Sequence, residues 1–180
     1  NSEKGRKAVY IEDQVLAAVY AVADQPLRDA LDLAYLTGQR PADVRGMDER
    51  DLVNGMLSVR QGKTGAALRI AIEGELASLI DRIASRKRGL AIRSTRLIVD
   101  ERGLALSKDS LRGRFDRARE AAGIEKSAFQ FRDLRAKAGT DKAESAGDIR
   151  QAQAQLGHAS VTMTEHYVRS RKGAKVTPTR

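Results

Sequence analysis

The feature that most constrains the fold is a change of hydrophobic period in the first half of the chain. Between Asp51 and Ile72 apolar residues alternate with polar ones, whereas on both sides they recur at helical spacing. The pair Asn54–Gly55 and the glycine-flanked segment 62–65 separate three short alternating runs, and both are typical turn sequences. The sequence therefore predicts a mainly α-helical fold with a small three-stranded antiparallel β-sheet (α+β).

Apolar stripes predict α-helices on both sides of this sheet. The first stripe, Ile11, Val15, Val19 and Val22, predicts a helix from about residue 13 that turns these four side chains inward. Prolines near predicted starts and glycines at predicted ends support the boundaries of several other helices. Further helices are expected to begin near Pro26, Pro41, Gly74, Ser107, Arg132, Asp148 and Ser160, and the last of them carries Tyr167.

The charge balance favours an anionic polymer as the partner. The 180 residues include 33 Lys and Arg and 24 Asp and Glu, which gives a net charge of +9. Basic groups placed near phosphates release condensed counterions, so such an excess is typical of nucleic-acid-binding proteins. Composition alone leaves DNA, RNA and an acidic membrane surface as alternatives. The chain length predicts one globular domain with a sizeable core.

Several classes of site are excluded or disfavoured by composition. The absence of cysteine excludes disulfides, thiolate zinc sites and cysteine nucleophiles. The two histidines, His158 and His166, lie eight residues apart without a nearby acidic cluster, so no metal is expected. No apolar run approaches the roughly 20 residues of a membrane span and no signal-peptide pattern is present, which predicts a soluble intracellular protein.

Three short segments carry the candidate chemistry. The segment TGQRPADV at 37–44 contains Arg40, and the segment FRDLR at 131–135 contains two arginines three residues apart, which on a helix would share a face. The segment LGHAS at 156–160 is followed by a tyrosine nine residues after its histidine. Each segment alone is equally typical of ordinary structure, namely a surface arginine, a basic helix face and a histidine after a helix end.

In this order along the chain, the segments resemble the signature of tyrosine recombinases, the phage-integrase type of DNA strand transferase. The resemblance extends from the first helices almost to the end of the chain. It includes a lysine in the turn between two strands, which corresponds here to the turn at 62–65. The residues that match the family pattern are Arg40, Lys63, Arg135, His158 and Tyr167, and Arg132 occupies a further site position of that pattern.

The resemblance implies a role for each matched residue. Tyr167 is the nucleophile that attacks a DNA phosphate, and Arg40 and Arg135 are the cations around the transition state. Arginine suits this role because its planar fork pairs with two phosphate oxygens and stays charged. Lys63 protonates the leaving 5′ oxygen, and His158 donates a hydrogen bond to a nonbridging phosphate oxygen.

Arg132 departs from the family pattern, which usually has histidine at this position. A guanidinium supplies hydrogen bonds and positive charge, but its pKa makes it a poor general base. The phenolic proton of Tyr167 would therefore pass to water, to a phosphate oxygen or to another side chain. Asp43, three residues after Arg40, is expected to support the local turn or to orient Arg40.

The resemblance also implies partners and a domain organisation. Residues 10–170 form the catalytic domain, 1–9 a linker that follows an upstream DNA-binding domain, and 171–180 a mobile basic tail. The chain does not begin with methionine, which is expected of a fragment or a processed product. Double-stranded DNA is the substrate, and homo-tetramers on DNA exchange C-terminal segments. Neither metal nor ATP nor another cofactor is implied, and the location is the bacterial cytoplasm or nucleoid.

Three other function classes remain open. A type IB topoisomerase would use the same chemistry but reseal the original ends. A noncatalytic DNA-binding module would bind without a covalent adduct, and a structural or assembly protein would do neither. The predicted helix after Ser107 carries arginines that either form a solvated face or face DNA, namely Arg112, Arg114, Arg117 and Arg119.

Overall fold

The computed structural model describes residues 9–147 and 149–157. These residues form seven α-helices and one three-stranded antiparallel sheet, which confirms the predicted fold class. A short 3₁₀-helix over Glu49–Asp51 leads into the sheet. The elements are α1 (Asp13–Val22), α2 (Gln25–Thr37), α3 (Pro41–Gly46), β1 (Leu52–Val53), β2 (Met56–Arg60), β3 (Ala67–Ala71), α4 (Gly74–Arg88), α5 (Lys108–Ala121), α6 (Asp133–Ala146) and α7 (Ile149–Leu156).

The sheet has the strand order β1-β2-β3, with both neighbouring pairs antiparallel. Asn54 (φ 52°) and Gly55 (φ 73°) both have positive φ, as the tight turn between β1 and β2 requires. On β2, Leu57 and Val59 are buried and their neighbours are not, so the predicted alternation is correct. One face of the sheet therefore joins the core.

Helix α2 is the centre of the core and packs against α4 and α6. The Asp24 side chain caps its start by accepting a hydrogen bond from the Leu27 backbone N–H at 3.0 Å. Leu27, Leu31 and other apolar residues of this helix are fully buried. The helix ends at Gly38, which adopts the left-handed conformation (φ 70°) that glycine accepts without strain. These local signals fix where the following loop leaves the core.

The prediction that the whole first apolar stripe faces inward is wrong at one position. Val22 is 49% exposed, whereas Val19 is fully buried and Ile11 is buried before the helix begins. Val22 is the last residue of α1, and the backbone becomes extended at Ala23. The inward side of this helix is completed by partly buried Leu16 rather than by Val22. Periodicity indicates a helical face but not how far along the helix its neighbours extend.

Two of the four arginines on α5 form hydrogen bonds or salt bridges with other residues of the chain. Arg119 is 8% exposed and donates a hydrogen bond to the Phe129 carbonyl at 3.1 Å. The Arg114 guanidinium lies 2.6 Å from Glu101 Oε1 and also contacts Asp24. Neither a solvated face nor a DNA-facing surface describes these two residues, because each is held by partners of its own chain. The other two members of the set, Arg112 and Arg117, are exposed.

The longest helix in residues 9–147 and 149–157 is α4, with 15 residues. Within these ranges no helix combines the length and the apolar character needed to cross a membrane. The same ranges contain no group of three or more His, Asp or Glu side chains that could hold a metal ion.

Candidate active site

Arg40 lies on a short joint between two helices, as the sequence predicts. After α2 ends at Gly38, the backbone at Arg40 is extended (φ −68°, ψ 153°) and Pro41 opens α3. Proline favours this extended conformation in the residue before it. The Arg40 Nη1 atom donates a hydrogen bond to Gln61 Oε1 at 3.3 Å. The arginine that the sequence singles out is therefore half-buried and attached to the end of β2.

Lys63 is exposed in the turn between β2 and β3, at the predicted place. The Gly65 backbone N–H donates to the Gln61 carbonyl at 2.8 Å and closes this turn. Asp43 of α3 accepts a hydrogen bond from the Gly62 backbone N–H at 3.0 Å. The sequence predicts that Asp43 supports its own local turn or orients Arg40, whereas the structure shows it bound to the Lys63 turn, 19 residues away. Helix α3 thus links the Arg40 joint to the turn that carries Lys63.

Arg135 is 3% exposed and connects the ends of two helices. Its Nη1 atom donates to the Gly38 carbonyl at 2.9 Å, and its Nη2 atom donates to the Leu156 carbonyl at 2.7 Å. These carbonyls belong to the ends of α2 and α7, where helices leave acceptors without partners in the helix. The two contacts use two of the five N–H donors of a guanidinium and fix its plane.

Arg132 has a different environment from Arg135. It precedes α6 as the N-cap residue and is exposed. The next residue, Asp133, is 2% exposed and accepts a hydrogen bond from the Gln130 backbone N–H at 2.7 Å. Every residue of α6 from Asp133 to Thr140 is buried, so Arg132 lies just before the buried part of the helix. The two arginines lie at the start of the same helix, one at the surface and one in the interior.

Gln61 joins these parts, and the sequence analysis missed it. It is 1% exposed, and its Nε2 atom donates to the Leu156 carbonyl at 2.8 Å and to Gln39 Oε1 at 2.9 Å. Its Oε1 atom accepts hydrogen bonds from Arg40 Nη1 and from the Thr64 hydroxyl, the latter at 2.8 Å. A single buried amide therefore contacts the Arg40 joint, the Lys63 turn and the end of α7.

A sequence signal for Gln61 does exist. The buried residues of β2 are Leu57 and Val59, and the same alternation places position 61 on the buried face. A glutamine at an inward position needs hydrogen-bond partners, because burying an unpaired amide is costly. The pattern could have predicted a buried polar contact here, although not the identity of its partners.

Gln39, whose side-chain oxygen accepts a hydrogen bond from Gln61, is held in one orientation. Gln39 Nε2 donates to the carbonyls of Thr37 and Gln155, each at 2.8 Å. The Gln39 oxygen is thereby left to face the Gln61 nitrogen. Gly157 lies against the same amide with φ 69°, and a Cβ atom there would be 2.9 Å from Gln61 Nε2. The end of α7 is therefore packed directly on Gln61, with no room for a side chain.

The hydroxyls of three of the four tyrosines in the chain bind carboxylates. Tyr10 and Tyr35 donate to Asp141 at 2.5 and 2.6 Å, and Tyr20 donates to Asp32 at 2.9 Å. Burial, followed by the hydrogen bond to the carboxylate, raises the pKa of Tyr20 and of Tyr35 above that of an ordinary phenol. A phenol that is held protonated in this way is a poor nucleophile.

The remaining predicted residues, His158 and Tyr167, lie outside the described residues, as do the helix expected near Ser160, the tail at 171–180 and most of the linker. The described chain ends at Gly157, beside Gln61. Of the six predicted site residues, the structure brings Arg40, Arg135 and the Lys63 turn to one buried junction. Arg132, three residues before Arg135 in the sequence, lies at the surface.

Comparison with known proteins supports the resemblance noted in the sequence. The model of the phage integrase family matches residues 10–173. The integrase of Escherichia phage lambda is 31% identical over 168 residues, covering 90% of this chain and 47% of the relative. The tyrosine recombinase XerD of Mycobacterium leprae is 33% identical over 172 residues, covering 86% of this chain and 54% of the relative.

A solved structure agrees with these relatives. A lambda integrase tetramer bound to a Holliday junction matches with a TM-score of 0.82 and 26% identity, covering 97% of this chain and 52% of that chain. The chain thus spans about half the length of the relatives it matches. Since the family model and the relatives cover most of its residues, the chain belongs to the phage integrase family.

Proposed function

We propose that this chain is the catalytic domain of a site-specific DNA recombinase or integrase. It cleaves and rejoins double-stranded DNA through a 3′-phosphotyrosyl intermediate. The observation that carries the proposal is the buried junction at Gln61, which contacts Arg40 and the Lys63 turn and shares the Leu156 carbonyl with Arg135. Cations gathered next to the end of α7, from which the sequence continues to Tyr167, suit attack on a phosphate.

The proposed step is a transesterification at phosphorus. The Tyr167 oxygen forms a bond to phosphorus, the bond from phosphorus to the 5′ oxygen breaks, and Lys63 gives a proton to that oxygen. Arg40 and Arg135 stabilise the negative charge on the phosphate oxygens, and His158 donates a hydrogen bond to one of them. The covalent link keeps the energy of the phosphodiester, so a different 5′ hydroxyl can reverse the step and exchange strands. This chemistry uses no metal, ATP or cofactor.

Tyr167 is the nucleophile in this proposal, and the other three tyrosines support the choice. Their hydroxyls donate to carboxylates, and burial together with this hydrogen bond raises the pKa of Tyr20 and of Tyr35. Arg132 contributes charge and hydrogen-bond donors at the start of α6. The phenolic proton passes to water, to a phosphate oxygen or to another side chain, because a guanidinium is a poor base.

The proposed partners follow from the relatives. Lambda integrase is known as a tetramer bound to a Holliday junction, and we propose that this chain also acts as a homo-tetramer on DNA with exchange of C-terminal segments. Residues 10–170 are the proposed catalytic domain, preceded by a linker from an upstream DNA-binding domain and followed by a basic tail. The proposed location is the cytoplasm or nucleoid of a bacterial cell.

A nicked suicide substrate tests the proposal directly. Duplexes with randomised sequence around a nick are mixed with the protein at concentrations that saturate binding, and covalent adducts are isolated on a denaturing gel. The wild type is expected to form an adduct that Tyr167→Phe does not form, while Tyr35→Phe serves as the matched control that retains it. If the wild type forms no adduct, or if the adduct persists in Tyr167→Phe, the proposal is refuted.

A second assay separates recombination from resealing. Two DNA segments carrying the sequence recovered from the adduct are incubated with the protein, and joined products are measured. Joining of the two segments is the expected result. Relaxation of a supercoiled plasmid without joining would instead indicate a type IB topoisomerase, and binding without either product would indicate a noncatalytic module.

A further inference from the structure

We infer that Gln61 is a positioning residue for strand cleavage, an inference that rests on the proposed function. Its buried amide sets Arg40, the Lys63 turn and the end of α7 relative to one another. Gln61 does not touch the reacting atoms in this inference. It acts through the groups that do.

The two ends of the amide contact different parts of the site. The oxygen accepts from Arg40 Nη1 at 3.3 Å and from the Thr64 hydroxyl at 2.8 Å, one residue after Lys63. The nitrogen donates to the Leu156 carbonyl at 2.8 Å and to Gln39 Oε1 at 2.9 Å. An amide is one of the few side-chain groups that both donate and accept in a fixed plane, so an apolar side chain cannot replace it.

The Leu156 carbonyl connects Gln61 to Arg135. It accepts from Gln61 Nε2 at 2.8 Å and from Arg135 Nη2 at 2.7 Å. A shift of Gln61 therefore changes the surroundings of this carbonyl, of Arg135 and of Arg40 together. Gly157 follows immediately and packs on the Gln61 amide, so the same shift reaches the point from which the chain continues towards His158.

The environment also explains why a carboxylate would fail at position 61. Gln39 is held by the carbonyls of Thr37 and Gln155, which keep its oxygen facing Gln61. In Gln61→Glu an oxygen would replace the nitrogen and would meet two acceptors, the Gln39 oxygen and the Leu156 carbonyl. Turning the Gln39 amide over would remove its own two hydrogen bonds. The substitution thus breaks the nitrogen side while it keeps the acceptor for Arg40.

Single-turnover cleavage of the suicide substrate tests the inference with Gln61→Glu and Gln61→Met. At saturating DNA we expect both variants to form the Tyr167 adduct about 10-fold to 100-fold more slowly, because a displacement on the order of 1 Å has effects of this size. The Kd of Gln61→Met for DNA should stay within about 3-fold, since this variant changes neither the net charge nor the exposed basic residues. A fall in the cleavage rate without a fall in affinity separates positioning from general binding.

Two control variants exclude indirect effects. Gln151→Met alters an exposed glutamine on α7 and should leave the rate unchanged. Ile83→Val removes one methyl from the core of α4 and should lower the melting temperature without changing the rate. If Ile83→Val slows cleavage as much as the Gln61 variants do, loss of stability explains the result and the positioning role is refuted.

A substrate with sulfur in place of the leaving 5′ oxygen distinguishes the two sides of the amide. A thiolate leaves without protonation, so this substrate restores the cleavage rate of a variant whose defect arises only from Lys63. We expect partial recovery in the Gln61 variants, because they also disturb Arg40 and α7. We expect full recovery in Thr64→Val, whose exposed hydroxyl is hydrogen-bonded to Gln61 and to the Ala66 backbone within the Lys63 turn. Full recovery in the Gln61 variants would refute the link to Arg40.

Thr64→Val also keeps the test valid if a Gln61 variant unfolds, because position 64 is exposed and outside the core. A rate of adduct formation equal to wild type in Thr64→Val and in the folded Gln61 variants would refute the positioning role while the proposed function stands. Failure of the wild type to form any adduct would instead refute the proposed function.

Discussion

Replacing Arg135 should destabilise the fold much more than replacing Arg40. Arg135→Met removes two buried hydrogen bonds from a charged donor, to the carbonyls of Gly38 and Leu156. Such bonds contribute about 1.5–3 kcal/mol each. Two effects offset part of the loss: Leu156 keeps its bond from Gln61, and the cost of burying a guanidinium disappears. The net loss of unfolding free energy should be about 2–4 kcal/mol.

The same reasoning gives a small effect for Arg40→Met. Arg40 is half-buried and makes one side-chain contact of 3.3 Å with Gln61. Its removal should cost about 0.5–1 kcal/mol. At this chain length about 1 kcal/mol corresponds to roughly 2–4 °C in Tm, so the Arg135 variant should melt about 4–16 °C lower and the Arg40 variant at most about 4 °C lower.

Urea unfolding followed by circular dichroism measures this difference, with Arg135→Lys as a further variant. Lysine keeps the charge but has no planar fork to reach both carbonyls, so an intermediate loss is expected. Equal urea midpoints for Arg40→Met and Arg135→Met would refute the reasoning, because the carbonyl contacts would then contribute little. If the difference is found, cleavage by Arg135 variants has to be measured at a temperature where they remain folded.

Two other predictions concern single groups. Lys63→Ala should slow the cleavage of ordinary DNA, and its cleavage rate should recover on the substrate with a 5′-leaving sulfur. Without such recovery, the role of Lys63 as general acid is refuted. The hydrogen bond from Arg114 lowers the pKa of Glu101 to about 2, below its ordinary value of 4.5. Because the folded pKa is the lower one, the stabilisation is complete above pH 4.5 and is lost as pH falls towards about 2. Urea midpoints of wild type and Glu101→Gln should therefore differ at pH 6 and converge near pH 2, and a constant difference would contradict this assignment.

The order and type of the elements could be predicted from local sequence. Alternation on β2, the Asn54–Gly55 turn and the glycine after α2 each act over a few residues, so they indicate structure without knowledge of the rest of the chain. Val22 shows the limit of this approach. Its spacing fits the stripe, yet it is exposed because α1 ends at that residue. Hydrophobic periodicity predicts which face of a helix is apolar, while the burial of each residue on that face depends on the elements that pack against it.

Part of the candidate site was also predictable. Pro41 and the glycines around Lys63 constrain the backbone locally, which is why the positions of Arg40 and Lys63 on a joint and a turn agree with prediction. The different environments of Arg132 and Arg135 were not predictable, because helical spacing gives both the same face. Which of the two is buried depends on where the buried part of α6 begins, at Asp133.

The sequence by itself determined the helices, the hairpins, the basic charge and the ordered set of family residues. Only the tertiary structure decided which polar groups meet, because their partners are distant in the chain. Arg135 binds a carbonyl 97 residues away, and Gln61 binds one 95 residues away. Hydrogen bonds of this kind depend on distances of about 3 Å between atoms whose approach is set by the packing of the whole core. For that reason the residues that carry the proposed chemistry were visible in the sequence, whereas the partners of the buried amide at Gln61 were not.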